Sequence, residues 1–140
     1  SEWLEPLAHV LAALRTEAAW IVHGAGGVDE ISTAGPTHVA ALEDGKVETF
    51  TIEPGEVGLP LWPLDAIRGG DAVHNAAALR ALLNGARGAY RDTVLMNAAA
   101  TLIVAGRVRS LAEGVALAAA SIDEGSAHDR LDRLIAITNG

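Results

Sequence analysis

Ala18-Ala19-Trp20-Ile21-Val22-His23-Gly24-Ala25-Gly26-Gly27-Val28-Asp29-Glu30-Ile31-Ser32 runs from an unbroken apolar stretch into glycines and passes two adjacent carboxylates. Ala18 to His23 is short, with charge before it and glycine after it, which is the pattern of a strand buried on both faces of a sheet. Glycines directly after such a strand bring backbone and side chains to its carboxyl edge, where α/β proteins keep their ligands. Upstream, Leu4, Leu7, Ala8, Leu11, Ala12 and Leu14 recur at helical spacing between Leu4 and Arg15, and Pro6 lies in a first turn that tolerates it. Helix, strand and glycine turn together make an α/β unit.

Downstream, Thr37-His38-Val39-Ala40-Ala41-Leu42 and Lys46-Val47-Glu48-Thr49-Phe50-Thr51-Ile52 flank Glu43-Asp44-Gly45. Asp-Gly between alternating runs predicts a hairpin, so the sheet is expected to be mixed. Pro54, Pro60 and Pro63 make Glu53 to Gly70 mostly loop with short helical turns. Val57, Leu59, Leu61, Trp62, Leu64 and Ile67 still need burial there, so this is an internal crossing and no domain linker. The remainder reads as four helices. Asp71 caps one that runs to about Leu83, and Arg91 to about Ala105 forms the second, ended by Gly106. Ser110-Leu111-Ala112-Glu113 is a capping box opening the third, ended near Gly125, and Ser126 opens the fourth.

The 140 residues are enough for one domain that buries roughly two-thirds of its unfolded surface. Half are hydrophobic, yet only five are aromatic, so the interior is expected to be helix-rich with small-residue packing. There is no cysteine, which excludes a disulfide framework and a thiolate metal site. A net charge of −8 without a basic stripe argues against nucleic-acid binding. No apolar run approaches a membrane span and no leader pattern is present, so a cytoplasmic protein without membrane contact is expected. The chain opens Ser1-Glu2-Trp3-Leu4 without methionine, which points to a processed chain, a tagged one or a fragment.

Asp29 and Glu30 are the candidate chemistry. Adjacent carboxylates at a strand end suit Mg2+, a hard cation that takes oxygen ligands and is often shared with substrate phosphates. Taken alone, such a pair is most often solvated surface. Gly24, Gly26 and Gly27 allow close approach of a ligand or permit positive φ in a turn. Ser32 and Thr33 could donate to phosphate oxygens, though turn hydrogen bonds are their commoner use. His23 faces the same choice between a cleft and packing, and packing is favoured. Asn75 and Asn97, each followed by Ala-Ala, read as amides tying helices to loops. Asp92 suits a helix start, and Arg91 suits pairing with a nearby carboxylate. The other histidines show no zinc spacing, and the three tryptophans are too scattered for a stacking platform.

Taken in order, His23-Gly24-x-Gly26-Gly27-x-Asp29-Glu30-Ile31-Ser32, Gly35-Pro36-Thr37, Gly69-Gly70-Asp71-x-x-x-Asn75-Ala76, Arg91-Asp92-x-Val94-Leu95-x-Asn97-Ala98-Ala99 and Leu111-x-Glu113-Gly114 resemble the carboxy-terminal part of anthranilate phosphoribosyltransferase. Five segments in register cover nearly the whole chain. The resemblance implies part of a mixed, mostly parallel α/β sheet with an antiparallel hairpin and a helical carboxy-terminal half, in the nucleoside phosphorylase and phosphoribosyltransferase manner. It implies that the 140 residues are one carboxy-terminal portion of the α/β domain. The implied reaction is displacement of pyrophosphate from phosphoribosyl pyrophosphate (PRPP) by the amino group of anthranilate, in tryptophan synthesis.

The same resemblance implies that Asp29 and Glu30 hold the Mg2+ that accompanies the pyrophosphate, with no proton-transfer role. Gly26, Gly27 and Ser32 are the candidate substrate contacts, and no catalytic residue is assigned. A homodimer is implied for the complete enzyme, built mainly through its amino-terminal helical domain. The family's glycine-rich Gly-Thr-Gly-Gly-Asp phosphate loop does not occur here, and neither do its Lys-His-Gly segment and anthranilate-positioning arginine; Gly69-Gly70-Asp71 matches a later segment. The chain is therefore expected to be inactive alone and to work beside a complementary amino-terminal segment. The competing expectations are a pyrimidine nucleoside phosphorylase-like pentosyltransferase, or a non-catalytic relative that binds nucleic acid or protein.

Overall fold

A computed structural model describes residues 2–140. The chain runs α1 (Leu4–Ala13), β1 (Ala18–Gly24), β2 (Thr37–Glu43), β3 (Lys46–Ile52), two 3-10 turns at Pro54–Val57 and Leu64–Ile67, then α2 (Ala72–Leu83), α3 (Ala89–Val104), α4 (Leu111–Asp123) and α5 (Ser126–Asn139). Asp44 and Gly45 both take positive φ, 48° and 77°, as a type I′ turn requires, so the hairpin forms where Asp-Gly predicts it. No helix among the described residues is long and apolar enough to cross a membrane.

The strand order is β1-β2-β3 and both pairings are antiparallel, with Val22 opposite Val39 and Val39 opposite Phe50. The α/β class, the hairpin and the helical carboxy-terminal half are as expected, while the parallel pairings of a larger sheet have no counterpart among these three strands. β1 also departs from its expected burial. Ala18 to His23 are half-buried, because β1 is an outer strand with nothing paired beyond it among the described residues.

Two layers of helix enclose the sheet. One face presents Trp20, Val22, Val39, Ala41 and Ile52 to Ile31, Met96 and Ala100, which draws α3 against it. Trp20 meets Phe50 edge-on across β2, with ring centroids 5.3 Å apart and planes at 79°. On the opposite face Ala40 and Leu42 are buried, and α1 lies across all three strands. Only Ala8 of α1 is fully buried; Trp3, Leu7, Val10 and Leu14 form a second apolar stripe left exposed.

The helical half packs around α3, which begins at Ala89, two residues before the expected start, because Gly88 at φ 133° ends the loop and Ala89 can already be helical. A second apolar cluster joins Leu82 of α2, Leu95 of α3, and Ala118 and Ile122 of α4. Asp71 caps α2 by accepting from the His74 N–H at 2.8 Å. Ser110 caps α4 through Glu113 N–H at 3.3 Å, but the Glu113 carboxylate turns to Arg109 N–H at 2.9 Å, so the expected box closes one residue early.

The α3–α4 crossing depends on Gly114, where a Cβ would lie 2.7 Å from the Cα of Ala99. Backbone cannot step aside as a side-chain tip can. Gly114→Ala is therefore expected to cost about 1–3 kcal/mol of stability, read as a lower urea midpoint.

Candidate functional site

The turn after β1 closes on itself before it reaches the carboxylates. Gly24 N–H donates to Val28 C=O at 2.9 Å and Gly27 N–H to Gly24 C=O at 3.0 Å, with Gly26 and Gly27 at φ 86° and 79°. Gly24 is required by close approach as well, since a Cβ there would sit 2.4 Å from the Glu30 carbonyl oxygen. Glu30's main chain thus folds back across the end of β1. Gly26 and Gly27 serve the turn through their positive φ, and Gly27 has nothing within 4 Å of a Cβ position, so its backbone is approachable.

Beyond Glu30 the chain turns inward. Ile31, Ser32 and Thr33 are 0–1% exposed, unusual for a loop, and their peptide groups need partners inside the protein. Ile31 N–H donates to Asn97 Oδ1 at 3.0 Å, and Asn97 Nδ2 donates to Ile31 C=O at 2.9 Å. Ser32 N–H donates to Thr37 Oγ1 at 3.0 Å, and Trp62 N–H donates to Thr33 C=O at 2.9 Å. The hydroxyls of Thr33 and Thr93 meet at 2.8 Å with both residues buried. Ser32 Oγ accepts from Ala34 N–H at 3.0 Å. Ser32 therefore has the turn role and no surface for a ligand, which removes it from the candidate substrate contacts.

Asp29 and Glu30 are both exposed, just before the loop enters the interior. Neither carboxylate takes part in a hydrogen bond or ion pair among the described residues, and no third His, Cys, Asp or Glu joins them in a metal-sized group. Two unpartnered carboxylates fit Mg2+ of the kind that keeps several waters and shares substrate phosphates, and do not fit an all-protein cage. His23 lies half-buried on β1 opposite His38, on the other face of the strand from Trp20 and Val22. Alongside Glu30, a shallow groove is lined by Ile67, Tyr90, Thr93, Val94, Asn97 and Thr101.

Other contacts were only partly legible. Arg91 is 1% exposed and its Nη2 reaches Asp123 at 2.9 Å, fulfilling the expected carboxylate pairing, but the sequence does not say which carboxylate. Its Nε and Nη1 have no partner among the described residues. Asp92 accepts from Trp62 Nε1 at 2.8 Å, fixing the proline-rich crossing to α3. No local signal joins residues 30 apart in this way. A tryptophan among prolines beside a helix-start aspartate is at most a hint.

Residues 1–128 match the family described as glycosyl transferase family, a/b domain. The chain is 58% identical over 137 residues to anthranilate phosphoribosyltransferase of Methylorubrum populi, covering 98% of this chain and 41% of that protein. Among solved structures, the anthranilate phosphoribosyltransferase of Thermus thermophilus superposes with a TM-score of 0.89 at 38% identity, over 99% of this chain and 41% of that one. The enzyme of that name from Saccharomyces cerevisiae in complex with PRPP and Mg gives 0.82 at 30% identity, over 94% of this chain and 39% of that one. The chain thus spans about two-fifths of the length of the relatives it matches.

Thr33→Val would strand the buried Thr93 hydroxyl and is expected to cost about 1–3 kcal/mol. Adding Thr93→Val removes the stranded group, so the double variant should lose less than the sum of the singles. A double-mutant cycle in urea measures this directly.

Proposed function

The chain belongs to the glycosyl transferase family, a/b domain, and from that premise we propose that its 140 residues are the carboxy-terminal portion of the α/β domain of an anthranilate phosphoribosyltransferase. The complete enzyme would transfer phosphoribose from PRPP to anthranilate and release pyrophosphate, in the cytoplasm, as a homodimer, within tryptophan synthesis. The observation that carries this reading is the near-full-length likeness of the chain to enzymes of that name, in both sequence and fold.

The geometry adds its own support. Asp29 and Glu30 stand in solvent with no partner among the described residues, available to oxygen-seeking Mg2+. Bound there, the ion would offset negative charge gathering on the departing pyrophosphate, a charge larger in the transition state than in the ground state. In this reading the main chain holds those carboxylates just beyond the end of β1, and they take no proton-transfer role.

The surfaces left open fit a missing complement. β1 presents an unpaired edge of half-buried apolar residues, and a groove beside it runs between Ala18, Trp20 and Val22 on one side and Ala100 and Val104 of α3 on the other. At the two ends of α1, Trp3 and Leu14 are 68% and 71% exposed. Unpaired edges and contiguous apolar stripes of this kind are normally covered. In this reading an amino-terminal segment covers them and brings the phosphate-binding loop opposite Asp29 and Glu30.

Two measurements test the proposal. The isolated chain is expected to form no phosphoribosyl anthranilate, and turnover is expected to appear when an amino-terminal segment is supplied; clear turnover by the isolated chain overturns the divided-site reading. In the assembled enzyme, Asp29→Asn with Glu30→Gln should raise the Mg2+ needed for half-maximal rate and slow turnover while the fold stays intact. Kinetics unchanged across a Mg2+ titration would refute the metal assignment.

A further inference from the structure

We propose that Asn97 is a positioning residue for Asp29 and Glu30, a role that rests on the metal reading above. Neither carboxylate has a hydrogen bond or ion pair among the described residues, so their placement depends on the main chain beneath them. That main chain is gripped at Ile31. Asn97 Oδ1 accepts from Ile31 N–H at 3.0 Å, and its Nδ2 donates to Ile31 C=O at 2.9 Å and to Thr93 C=O at 2.9 Å. The first bond fixes the peptide plane between Glu30 and Ile31, and the second fixes the plane that follows. The third anchors the amide to its own helix.

The Glu30–Ile31 peptide is therefore held from two sides. Its carbonyl lies against Gly24, within 2.4 Å of where a Cβ would stand, and its N–H faces Asn97. The amide cannot rotate by half a turn, since that would set a donor against Ile31 N–H and an acceptor against two carbonyls. No other side chain of this length has both an acceptor and a donor in one rigid plane. Aspartate lacks the donor, and glutamine is one methylene too long.

The second Asn-Ala-Ala segment shows the same grip in a local setting. Asn75 Oδ1 accepts from Gly70 N–H at 2.8 Å, and its Nδ2 donates to Gly70 C=O at 3.1 Å. That clamp spans five residues, is exposed, and ties the start of α2 to its own loop. The Asn97 clamp spans 66 residues and is the one that ends beside the carboxylate pair.

The test joins these 140 residues to the amino-terminal part of a full-length relative and compares Asn97→Ala with Thr93→Val. The latter removes the neighbouring hydroxyl contact to Thr33 but leaves the Ile31 peptide gripped. Asn97→Ala is expected to speed hydrogen exchange at the Ile31 amide and to raise the Mg2+ needed for half-maximal rate about 10-fold, the lower end of effects seen for outer-shell partners of metal ligands. Thr93→Val is expected to leave both unchanged while lowering stability. If Asn97→Ala does not fold, Asn97→Ser decides: its hydroxyl can bond Thr93 C=O four residues back but is too short to grip the Ile31 peptide, so the same Mg2+ shift is expected.

Equal Mg2+ shifts in Asn97→Ala and Thr93→Val, or no shift in Asn97→Ala, overturn the proposal. Asp29→Asn in the same protein separates the causes. If it raises the Mg2+ requirement while Asn97→Ala does not, positioning by Asn97 fails and the metal reading stands. If Asp29→Asn also has no effect, the metal reading fails and takes the proposal with it.

Discussion

A loop that enters a protein interior must find partners for its peptide groups, and in this molecule residues 31–33 meet that need by drawing together α3, the start of β2 and the proline-rich crossing. Each buried peptide group left unpaired costs about 1–3 kcal/mol, a large share of a domain's net stability. Here the peptide groups find Asn97 of α3, Thr37 at the start of β2 and Trp62 of the proline-rich crossing, while the Thr33 hydroxyl meets that of Thr93 and Ser32 Oγ accepts from Ala34 N–H. Moving any one of these elements would leave a polar group unpaired in the core. The apolar cluster of Ile31, Val39, Ile52, Met96 and Ala100 then fills around a frame already set by hydrogen bonds.

The consequence for the site is a division of labour. Asp29 and Glu30 are free in solvent, whereas the residues just after them are among the most buried in the chain. In the proposed metal role a ligand needs a defined position and an open coordination face, and two neighbouring stretches would supply one each. Rigidity comes from the backbone through Gly24 and Asn97, and accessibility comes from the absence of side-chain partners. Sites whose supporting contacts fix the main chain in this way keep their geometry without occupying the ligands themselves.

Much of this was legible in the sequence because it is local. The Asp44-Gly45 hairpin, the Asp71 and Ser110 caps and the helical periods all follow from a few adjacent residues, and their boundaries fall within two residues of expectation. The Asp29-Glu30 pair stood out for its place after a strand and a glycine turn. What was not legible is long-range. Burial on both faces was expected for β1 because its composition is apolar, yet apolarity does not say whether the covering partner lies within the same 140 residues. Ser32 read as a possible phosphate donor because a hydroxyl's direction depends on which neighbour claims it. Thr93 carried no signal at all, since its value comes from Thr33, 60 residues away.

The 66-residue span of the Asn97 clamp also sets an order of assembly. The β2–β3 hairpin needs only its own tight turn, and such hairpins close in roughly 1–10 μs. The loop between β1 and β2 cannot settle on that schedule, because its anchor lies on a helix far along the chain, and contacts of large sequence separation form after local ones. During synthesis, residues 29 and 30 emerge well before residue 97. The carboxylate pair is thus made well before the residue that holds its backbone, and waits for that residue to be fixed in place.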